Sequence, residues 1–312
     1  MKLPSVHIII LNWNGFSDTV NCLNSLMEGD LSNITILVVD NGSANNEAAR
    51  LAELFPGISV LPQKENTGFC GGNNIGIQRA LEDGAELILL LNNDTIIPKD
   101  AVKILAEEFI KLPDAGAICP IILLYPETEF ANFVKASWDA KSAQFSLNSE
   151  NKKYGELKNK KPWKSEFANG CCLLTSSEVI KKVGLLDERY FAYYDEADWC
   201  RRLEKAGYFS YVSPAAFIYH VKYTLSHSRI SMYLLTRNRL LWIKENLSFR
   251  ERSKSFLYLK REFFWHLLNV VGLVKGDYTH DLSRAYLMGW RDFKLKRFGR
   301  WKNKYEDFFV RK

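Results

Sequence analysis

The stretch LLLNNDTIIPKD, residues 89 to 100, passes from three leucines directly into Asn92, Asn93 and Asp94, and Pro98 follows. The leucines are typical of a buried strand, and the polar triplet marks the point where that strand ends. Asn and Asp are ordinary turn residues, so a turn is one explanation. A carboxylate beside carboxamides also suits a divalent cation, which prefers oxygen ligands. The rest of the sequence bears on this choice between a turn and a binding site.

Short apolar runs alternate with helical segments on both sides of this stretch. Five β-rich runs occur within the first 125 residues: SVHIIILNW, ITILVVDN, ISVLPQ, ELILLLNND and AGAICPIILLY. The segments between them have helical period, namely DTVNCLNSLMEG, SANNEAARLAELF, GGNNIGIQRALEDG and PKDAVKILAEEFIKL. This order predicts an α/β fold with a doubly wound, mostly parallel sheet flanked by helices. Such sheets bind ligands at the carboxyl ends of their strands.

Three of the predicted strands end in polar residues. They are Asn12 and Asn14 after the first strand, Asp40 and Asn41 after the second, and Asn92, Asn93 and Asp94 after the fourth. Because these strand ends share one edge of the sheet, we expect the three clusters to line that edge. A helix cap or an Asx-turn would also explain Asp40. Alternatively, its carboxylate accepts a hydrogen bond from a nucleobase N–H or a ribose hydroxyl.

A glycine-rich segment, NTGFCGGNNIG at residues 66 to 76, lies between two of these strands. Its four glycines include Gly68 and stand at a predicted helix start, where backbone amides can approach an anionic ligand. Such a loop is weak evidence alone and gains weight from its position. No GxGxxG follows the first strand and no GxxxxGK[ST] occurs, which disfavours a dehydrogenase or a P-loop ATPase.

A cluster of carboxylates, Asp195, Glu196 and Asp198, stands in YYDEADW at the start of another predicted helix. Acidic residues are favourable at a helix N-terminus, which accounts for one or two of them. A third beside two tyrosines makes one of them a candidate general base for an acceptor hydroxyl. His220 ends a later apolar strand. A histidine there is more often a structural hydrogen-bonding residue, but it can also donate nitrogen to a metal.

The composition, 47% hydrophobic and 25% charged over 312 residues, is that of a soluble globular protein. Six scattered cysteines without zinc-ligand spacing are expected to be free, buried thiols of a reducing compartment. The start of the chain is a poor signal peptide and no run reaches about 18 apolar residues, so a cytoplasmic location is expected. The lysine-rich residues 150 to 166 are predicted to form a solvated hairpin or a mobile loop.

The charge divides the chain at His220. Residues 221 to 312 hold 21 Lys and Arg against 8 Asp and Glu, a net charge of +13, whereas the first 220 residues have a net charge of −7. The basic part interleaves its cations with Trp242, Phe263, Phe264, Trp265, Trp290, Phe298, Trp301 and Phe308. This pattern predicts a helical region that contacts an anionic membrane or packs on the rest of the chain. Nucleic-acid binding is disfavoured, because it leaves the acidic and asparagine clusters without a purpose.

The sequence resembles the family 2 glycosyltransferases of the GT-A fold in a series of motifs. In chain order these are IIILNWNG, VVDNGS, NTGFCGGNNIG, LLLNNDT, GLLDERYFAYYDEADWCRR and YH followed by YLLTRNRLLWIKEN. The resemblance covers roughly residues 5 to 245 and is closest to rhamnosyltransferase-like enzymes of bacterial surface polysaccharide assembly. It implies inverting, Mg²⁺- or Mn²⁺-dependent transfer of rhamnose or another hexose from a UDP- or dTDP-sugar. The implied acceptor is a hydroxyl of a glycan or a lipid-linked glycan. Residues 1–220 would be the catalytic domain and 221–312 a basic helical extension; the oligomeric state stays open.

The resemblance also implies roles for single residues. Asp40 would bind the nucleobase, Asn12 and Asn66 would lie near the base or ribose, and Asn74 near the diphosphate. Asn14, Asn41, Gly68, Asn92 and Asn93 are further candidates for donor binding. Asp94 stands at the principal metal-ligand position of the family's DXD motif, and His220 stands where a second ligand is found.

The sequence departs from the family pattern at two places. Asn92 stands where the DXD motif begins with Asp, so Asp94 carries the negative charge of the motif. Asp195-Glu196 replaces the usual Glu-Asp pair, and we assign the base to Glu196 with Asp195 as the alternative. A sugar nucleotidyltransferase, the other enzyme considered, needs a basic, glycine-rich loop early in the chain, and none follows LNWNG.

Overall fold

The computed structural model describes residues 3–126, 129–149, 152–221, 228–274, 280–301 and 305–310. Its strands are β1 Val6–Asn12, β2 Ile34–Asp40, β3 Ser59–Pro62, β4 Leu87–Asn92, β5 Thr95–Ile96, β6 Ala115–Leu124, β7 Ala131–Phe133, β8 Ser137–Asp139, β9 Gln144–Ser146, β10 Trp163–Ser165, β11 Cys172–Ser176 and β12 Phe209–His220. Its helices are α1 Phe16–Met27, α2 Glu47–Leu54, α3 Gly68–Glu82, α4 Ala101–Ile110, α5 Ser177–Val183, α6 Asp195–Lys205, α7 Arg229–Asn246, α8 Phe249–Val270, α9 His280–Lys294 and α10 Glu306–Val310. All five strands and four helices expected in the first 125 residues are present.

The central sheet has the order β10-β12-β6-β11-β4-β1-β2-β3, with β5 paired to β12 and β7 paired to β6. β1 is parallel to both β2 and β4. From β1 the chain runs outward through β2 and β3, and then returns to β4 on the other side of β1. The strand order therefore reverses between β1 and β4, and ligands of open α/β sheets bind at such a reversal.

Helices cover both faces of this sheet. Right-handed crossovers put α1 and α2 on one face and α3, which returns the chain to β4, on the other. Ile8, Ile9 and Ile10 of β1 are consequently all fully buried, as expected for a strand covered on both faces. The six cysteines are free and buried, as predicted.

The lysine-rich residues 150 to 166 differ in part from the predicted hairpin or loop. Their end forms β10, which pairs antiparallel with β12 at the edge of the sheet. Trp163 anchors it, because the indole Nε1 donates to the carbonyl of Val134 at 3.0 Å. The Lys164 ammonium binds Asp114 at 2.9 Å. An edge strand with outward lysines is thus hard to distinguish from a loop by composition alone.

The basic C-terminal region packs in part on the body of the protein. Leu240, Leu241 and Trp242 of α7 belong to the same buried core as the sheet. The ring of Trp242 lies 4.6 Å from that of Trp138. A domain boundary at residue 220 stays a prediction. Among the described residues, no helix has both the length and the apolar character required to cross a bilayer.

Candidate active site

Asn12 ends β1 and ties the first two strand ends together. Its Nδ2 donates to Asp40 Oδ2 at 2.8 Å and to Glu47 Oε2 at 3.0 Å. Its Oδ1 accepts from Thr19 Oγ1 at 2.8 Å, and the whole residue is fully buried. A buried amide with these partners orients Asp40 instead of contacting a ligand itself.

Asp40 and Asn14 join the loops that follow β1 and β2. Asp40 is buried, and its Oδ1 accepts from the backbone N–H of Ser43 at 2.9 Å. Asn14 is exposed, has a φ of 50°, and accepts through Oδ1 from the N–H of Ala44 at 2.8 Å. These contacts agree with the turn interpretation of Asp40. A carboxylate oxygen can accept a second hydrogen bond, so contact between Asp40 and a nucleobase stays a prediction.

Asn41 connects the end of β2 to the glycine-rich segment. Its Nδ2 donates to the carbonyl of Gly68 at 3.0 Å and to Asn66 Oδ1 at 3.2 Å. Its Oδ1 accepts from the N–H of Thr67 at 3.0 Å. Asn66 Oδ1 also accepts from the N–H of Gly68 at 2.7 Å. The predicted donor-binding residues Asn41, Asn66 and Gly68 therefore form one network that shapes this loop.

Packing within the protein explains the glycines of this segment. A Cβ at Gly68, whose φ is +82°, would lie 2.5 Å from Phe191. At Gly72 and Gly76 it would lie 2.3 Å from Leu11 and 2.4 Å from Ile9. Close approach of α3 to β1 and to the loop before α6 requires these glycines, whereas we expected a close approach to a ligand.

Asn74 also makes its hydrogen bonds within the protein. Its Nδ2 donates to the carbonyl of Leu186 at 2.9 Å and to Glu188 Oε1 at 3.0 Å. Its Oδ1 accepts from the N–H of Leu186 at 3.0 Å, and the residue is buried. Both amide hydrogens and the oxygen are used inside the protein. Asn74 thus holds the loop before α6, and its contact with a diphosphate stays a prediction.

Strand pairing brings Asp94 and His220 together from positions 126 residues apart. His220, the last residue of β12, pairs with Thr95 of β5. The backbone N–H of Val221 donates to the carbonyl of Asp94 at 2.9 Å. As a result the His220 Nε2 lies 3.1 Å from Asp94 Oδ1. The two residues assigned to metal binding therefore face one another at the carboxyl edge of the sheet.

Asn92 and Asn93 support this turn. Asn93 Nδ2 donates to Thr19 Oγ1 at 2.9 Å, which fixes the turn against α1. The backbone N–H of Asn92 donates to the carbonyl of Cys171 at 2.9 Å, and its carbonyl accepts from Thr95 Oγ1 at 2.7 Å. Asn93 thus acts as a scaffold, and donor binding by the half-buried side chain of Asn92 stays a prediction.

The three carboxylates of α6 differ in their surroundings. Asp198 is buried and accepts hydrogen bonds from Tyr190 at 3.2 Å, from Asn246 at 3.0 Å and from Arg202 at 3.0 Å. These contacts favour a structural role for Asp198 over the catalytic role considered for it. Asp195 is 2% exposed, and its Oδ2 has no hydrogen-bond partner.

Glu196 is the more accessible member of the adjacent pair. It is half-buried, and its Cβ lies 3.6 Å from the Cβ position of Gly170, in the loop before β11. Burial raises the pKa of Glu196 above its usual value. Burial and, next, the charge of Glu196 raise the pKa of Asp195 well above its usual value. We infer that Asp195 keeps its proton and that Glu196 is the residue that ionises.

The state of Asp195 predicts a gain in stability for Asp195→Asn. A carboxyl whose pKa is raised by folding contributes stability at low pH, and this is lost as pH rises through the folded-state pKa. The amide cannot ionise, so the Tm of the variant should exceed that of the wild type by a few degrees at neutral and mildly alkaline pH. The difference should vanish near pH 4, about the usual carboxyl pKa. Thermal melts across this pH range measure it.

Asp114→Asn is the control, and the opposite change in Tm is expected for it. Hydrogen bonds from Lys164 and Tyr211 hold the pKa of Asp114 below its usual value. Its loss should lower the Tm slightly at neutral pH, since this carboxylate is partly exposed to solvent. A lower Tm for Asp195→Asn at neutral pH would show instead that Asp195 is ionised in the folded protein.

Arg237 and Asn238 of α7, to which the sequence assigns no role, fix the loop before α6. Both are fully buried. Asn238 Nδ2 donates to the carbonyls of Tyr190, Ala192 and Tyr193 at 2.7 to 3.0 Å. Arg237 Nη2 also donates to the carbonyl of Tyr190, at 3.0 Å. In the sequence, the adjacent Arg-Asn pair inside an apolar helical segment could have indicated this structural role.

These donors hold strained backbone. Phe191, Tyr193 and Tyr194 all have positive φ, between 67° and 69°, immediately before Asp195. Bulky residues rarely adopt this conformation, so the surrounding contacts must enforce it. The effect is to fix the start of α6, and with it Glu196, relative to Gly170.

The family model described as Glycosyl transferase family 2 matches residues 7–184, more than half of the chain. The chain is a family 2 glycosyltransferase. The matched range includes Asp40 and Asp94 and ends before Glu196 and His220.

Relatives of this glycosyltransferase include rhamnosyltransferases. It is 24% identical over 269 residues to "dTDP-rhamnosyl transferase RfbF" of Shigella flexneri, covering 81% of this chain and 86% of the relative. It is 26% identical over 217 residues to "N-acetylglucosaminyl-diphospho-decaprenol L-rhamnosyltransferase" of Mycobacterium tuberculosis, covering 61% and 67%. The similarity makes the chain a rhamnosyltransferase-like member of the family, and it does not support the nucleotidyltransferase or nucleic-acid-binding alternatives.

Solved structures show the same GT-A fold. GalNAc-T7 with UDP, GalNAc and Mn²⁺ aligns with a TM-score of 0.62 at 15% identity, over 98% of this chain and 57% of that one. The mannosyltransferase PcManGT of Pyrobaculum calidifontis in complex with GDP-Man and Mn²⁺ aligns with a TM-score of 0.59 at 14% identity, over 95% and 89%. Both likenesses concern the fold alone.

The two predicted metal ligands of the glycosyltransferase fit an ion that is also bound by groups outside the protein. Within the described residues, no group of three or more His, Cys, Asp or Glu side chains could hold a metal. Asp94 and His220 supply one carboxylate and one imidazole, 3.1 Å apart. Such a pair suits a divalent ion that takes its remaining ligands from phosphate oxygens and water.

A cavity of about 390 Å³ adjoins Asp94 on the side of α1. Its described lining includes the carboxylates of Asp18, Glu28 and Asp94 and has no Lys or Arg. An anionic diphosphate beside these carboxylates would be repelled unless a cation lay between them.

Proposed function

We propose that this glycosyltransferase transfers L-rhamnose from dTDP-rhamnose to a hydroxyl of a lipid-linked glycan acceptor, with inversion at the anomeric carbon and with Mg²⁺ or Mn²⁺. The observation that carries the proposal is the pair of Asp94 and His220 at the carboxyl edge of a family 2 sheet. The sugar and the nucleotide follow the printed names of two relatives. The lipid-linked acceptor follows the second of these names.

Each part of the donor has a proposed place. Asp40, oriented by Asn12, binds the nucleobase near the reversal of strand order. Asp94 and His220 would hold the divalent ion, which would neutralise charge that builds on the departing diphosphate. We assign Asn92, Asn14 and the 66–68 turn to contacts with the donor between these two points. Asn12, Asn41, Asn74 and Asn93 act through other residues, as their hydrogen bonds indicate.

The proposed reaction is a single displacement. Glu196 accepts the proton of the acceptor hydroxyl while the acceptor oxygen forms a bond to the anomeric carbon. The bond between that carbon and the diphosphate oxygen breaks on the opposite face, and inversion follows. The raised pKa of Glu196 suits this step, because a base with a higher pKa binds the transferred proton more strongly.

Purified full-length protein tests the proposal with a panel of nucleotide sugars. The panel contains dTDP-rhamnose, dTDP-glucose, UDP-glucose and GDP-mannose, each with Mn²⁺, with Mg²⁺ and with a chelator. We expect release of dTDP from dTDP-rhamnose that requires metal and increases when an acceptor glycolipid bearing N-acetylglucosamine on a diphosphate is added. Preference for another sugar nucleotide would overturn the donor assignment, and full activity in chelator would overturn the metal assignment.

A further inference from the structure

The outward surface of α8 is apolar over most of its length. Its exposed large side chains are Phe249, Phe256, Leu257, Phe264, Leu267 and Leu268, which are 37% to 86% exposed, and Val271 continues the row. At 3.6 residues per turn these α8 positions share about one third of the helix circumference. Single exposed apolar residues are ordinary, but a contiguous row marks an interaction surface. We call this row the outward face of α8.

The opposite face of the same helix is polar. Its inward positions are Ser255, Leu259, Glu262, His266 and Asn269. Ser255 Oγ donates to the carbonyl of Ala140 at 2.9 Å, and Glu262 forms an ion pair with Arg239 of α7. The inward side of α8 is therefore mixed, with polar residues around Leu259, whereas a surface helix in water turns a mainly apolar side to the core. The protein itself satisfies the polar side and leaves the apolar side uncovered.

Cations border the outward face along one side. Arg250, Lys254 and Arg261 are exposed, and their spacing puts them within about 40° of one another around the helix. Lys260 lies within the apolar row, where its long stem can run along the surface and its ammonium can reach the headgroups. An apolar row beside a row of cations is the pattern of a helix lying in the interface of an anionic membrane.

The acidic residues of α8 do not oppose this charge. Glu251 accepts hydrogen bonds from the N–H and hydroxyl of Ser248 and so caps the helix. Glu262 is engaged with Arg239 on the inward side. Apart from the exposed Ser253, the surface that α8 offers to a partner is thus apolar and positive.

We propose that α8 lies in the surface of an anionic lipid bilayer, with its outward face among the acyl chains and its cations at the phosphate groups. A second copy of the chain packed antiparallel on this face fits less well, because the two-fold axis would bring the two rows of cations together. The proposal changes which residues contact the membrane. Trp242 and Trp301, expected to serve there, are 3% and 7% exposed and pack inside the protein.

Vesicle sedimentation with the full-length protein tests this surface without substrate, so it is independent of the proposed reaction. The wild type should sediment with vesicles that contain phosphatidylglycerol and remain in solution with pure phosphatidylcholine. Phe256→Gln with Leu257→Gln should weaken binding to the anionic vesicles by at least about tenfold, because two large apolar side chains no longer enter the bilayer. Arg250→Gln with Lys254→Gln should weaken binding at low salt and remove most of its salt dependence.

Met27→Gln with Leu54→Gln is the matched control, since both residues are exposed apolar side chains outside α8. This variant should bind anionic vesicles as the wild type does, and thermal melts should show that all variants are folded. Wild-type protein that stays in solution with anionic vesicles would overturn the proposal. Binding of the Phe256/Leu257 variant to anionic vesicles as tight as that of the wild type would also overturn it. A wild-type dimer in analytical ultracentrifugation that is lost only in the Phe256/Leu257 variant would overturn it too.

Discussion

Asp94→Ala should abolish sugar transfer, with a fall in kcat of at least about a thousandfold. Asp94 is the carboxylate of the pair that faces His220, and Asn92 and Asn93 of the same turn carry no charge to replace it. Without it the diphosphate loses a bound cation both in the ground state and as the leaving group departs. His220→Ala should have a smaller effect, because a neutral imidazole contributes a ligand but no charge.

A binding measurement separates this loss from a failure to fold. Mn²⁺ together with dTDP should raise the Tm of the wild type and should raise it far less in Asp94→Ala. Asp100→Ala is the control, since Asp100 is exposed six residues further on and makes no side-chain cap to α4. Nucleotide-dependent stabilisation by Mn²⁺ that survives Asp94→Ala would place the metal elsewhere.

The parallel part of the sheet could be predicted because each strand, buried on both faces, reads as a continuous apolar run. β1, β2, β4 and β6 are all of this kind. The antiparallel strands are different. β5 and β10 are two and three residues long, and pairing with the long β12 defines them. Such short segments have no period of their own, so only the assembled sheet reveals them.

The polar ends of the strands could be located but not sorted by role. Asn12 and Asn74 have the residue type and the place in the sequence that ligand-binding residues would have. Burial decides between the two roles, because a buried amide must find partners inside the protein. Periodicity likewise shows that α8 is amphipathic, but it does not show which side faces inward. The tertiary contacts of Ser255 and Glu262 determine that.

The second large effect concerns the base. Glu196→Gln should lower kcat by roughly 10²- to 10⁴-fold, the usual contribution of a general base. It should leave stabilisation by Mn²⁺ and dTDP unchanged, because Glu196 is not part of the Asp94–His220 pair. Asp195→Asn should stay within a few-fold of wild-type activity, since the buried Asp195 is inferred to be already protonated.

The pH dependence distinguishes the two carboxyls more sharply than their rates do. A base acts when it is deprotonated, so kcat in the wild type should rise with pH through the raised pKa of Glu196, above the usual value of about 4.3. Asp195→Asn replaces a protonated carboxyl with a neutral amide, so the rise in kcat of this variant should stay at the same pH as in the wild type. Residual activity of Glu196→Gln should lack this rise. Near-normal turnover of Glu196→Gln together with an inactive Asp195→Asn would assign the role of base to Asp195. The proton of the acceptor would then have to reach a carboxylate that is buried in the folded protein.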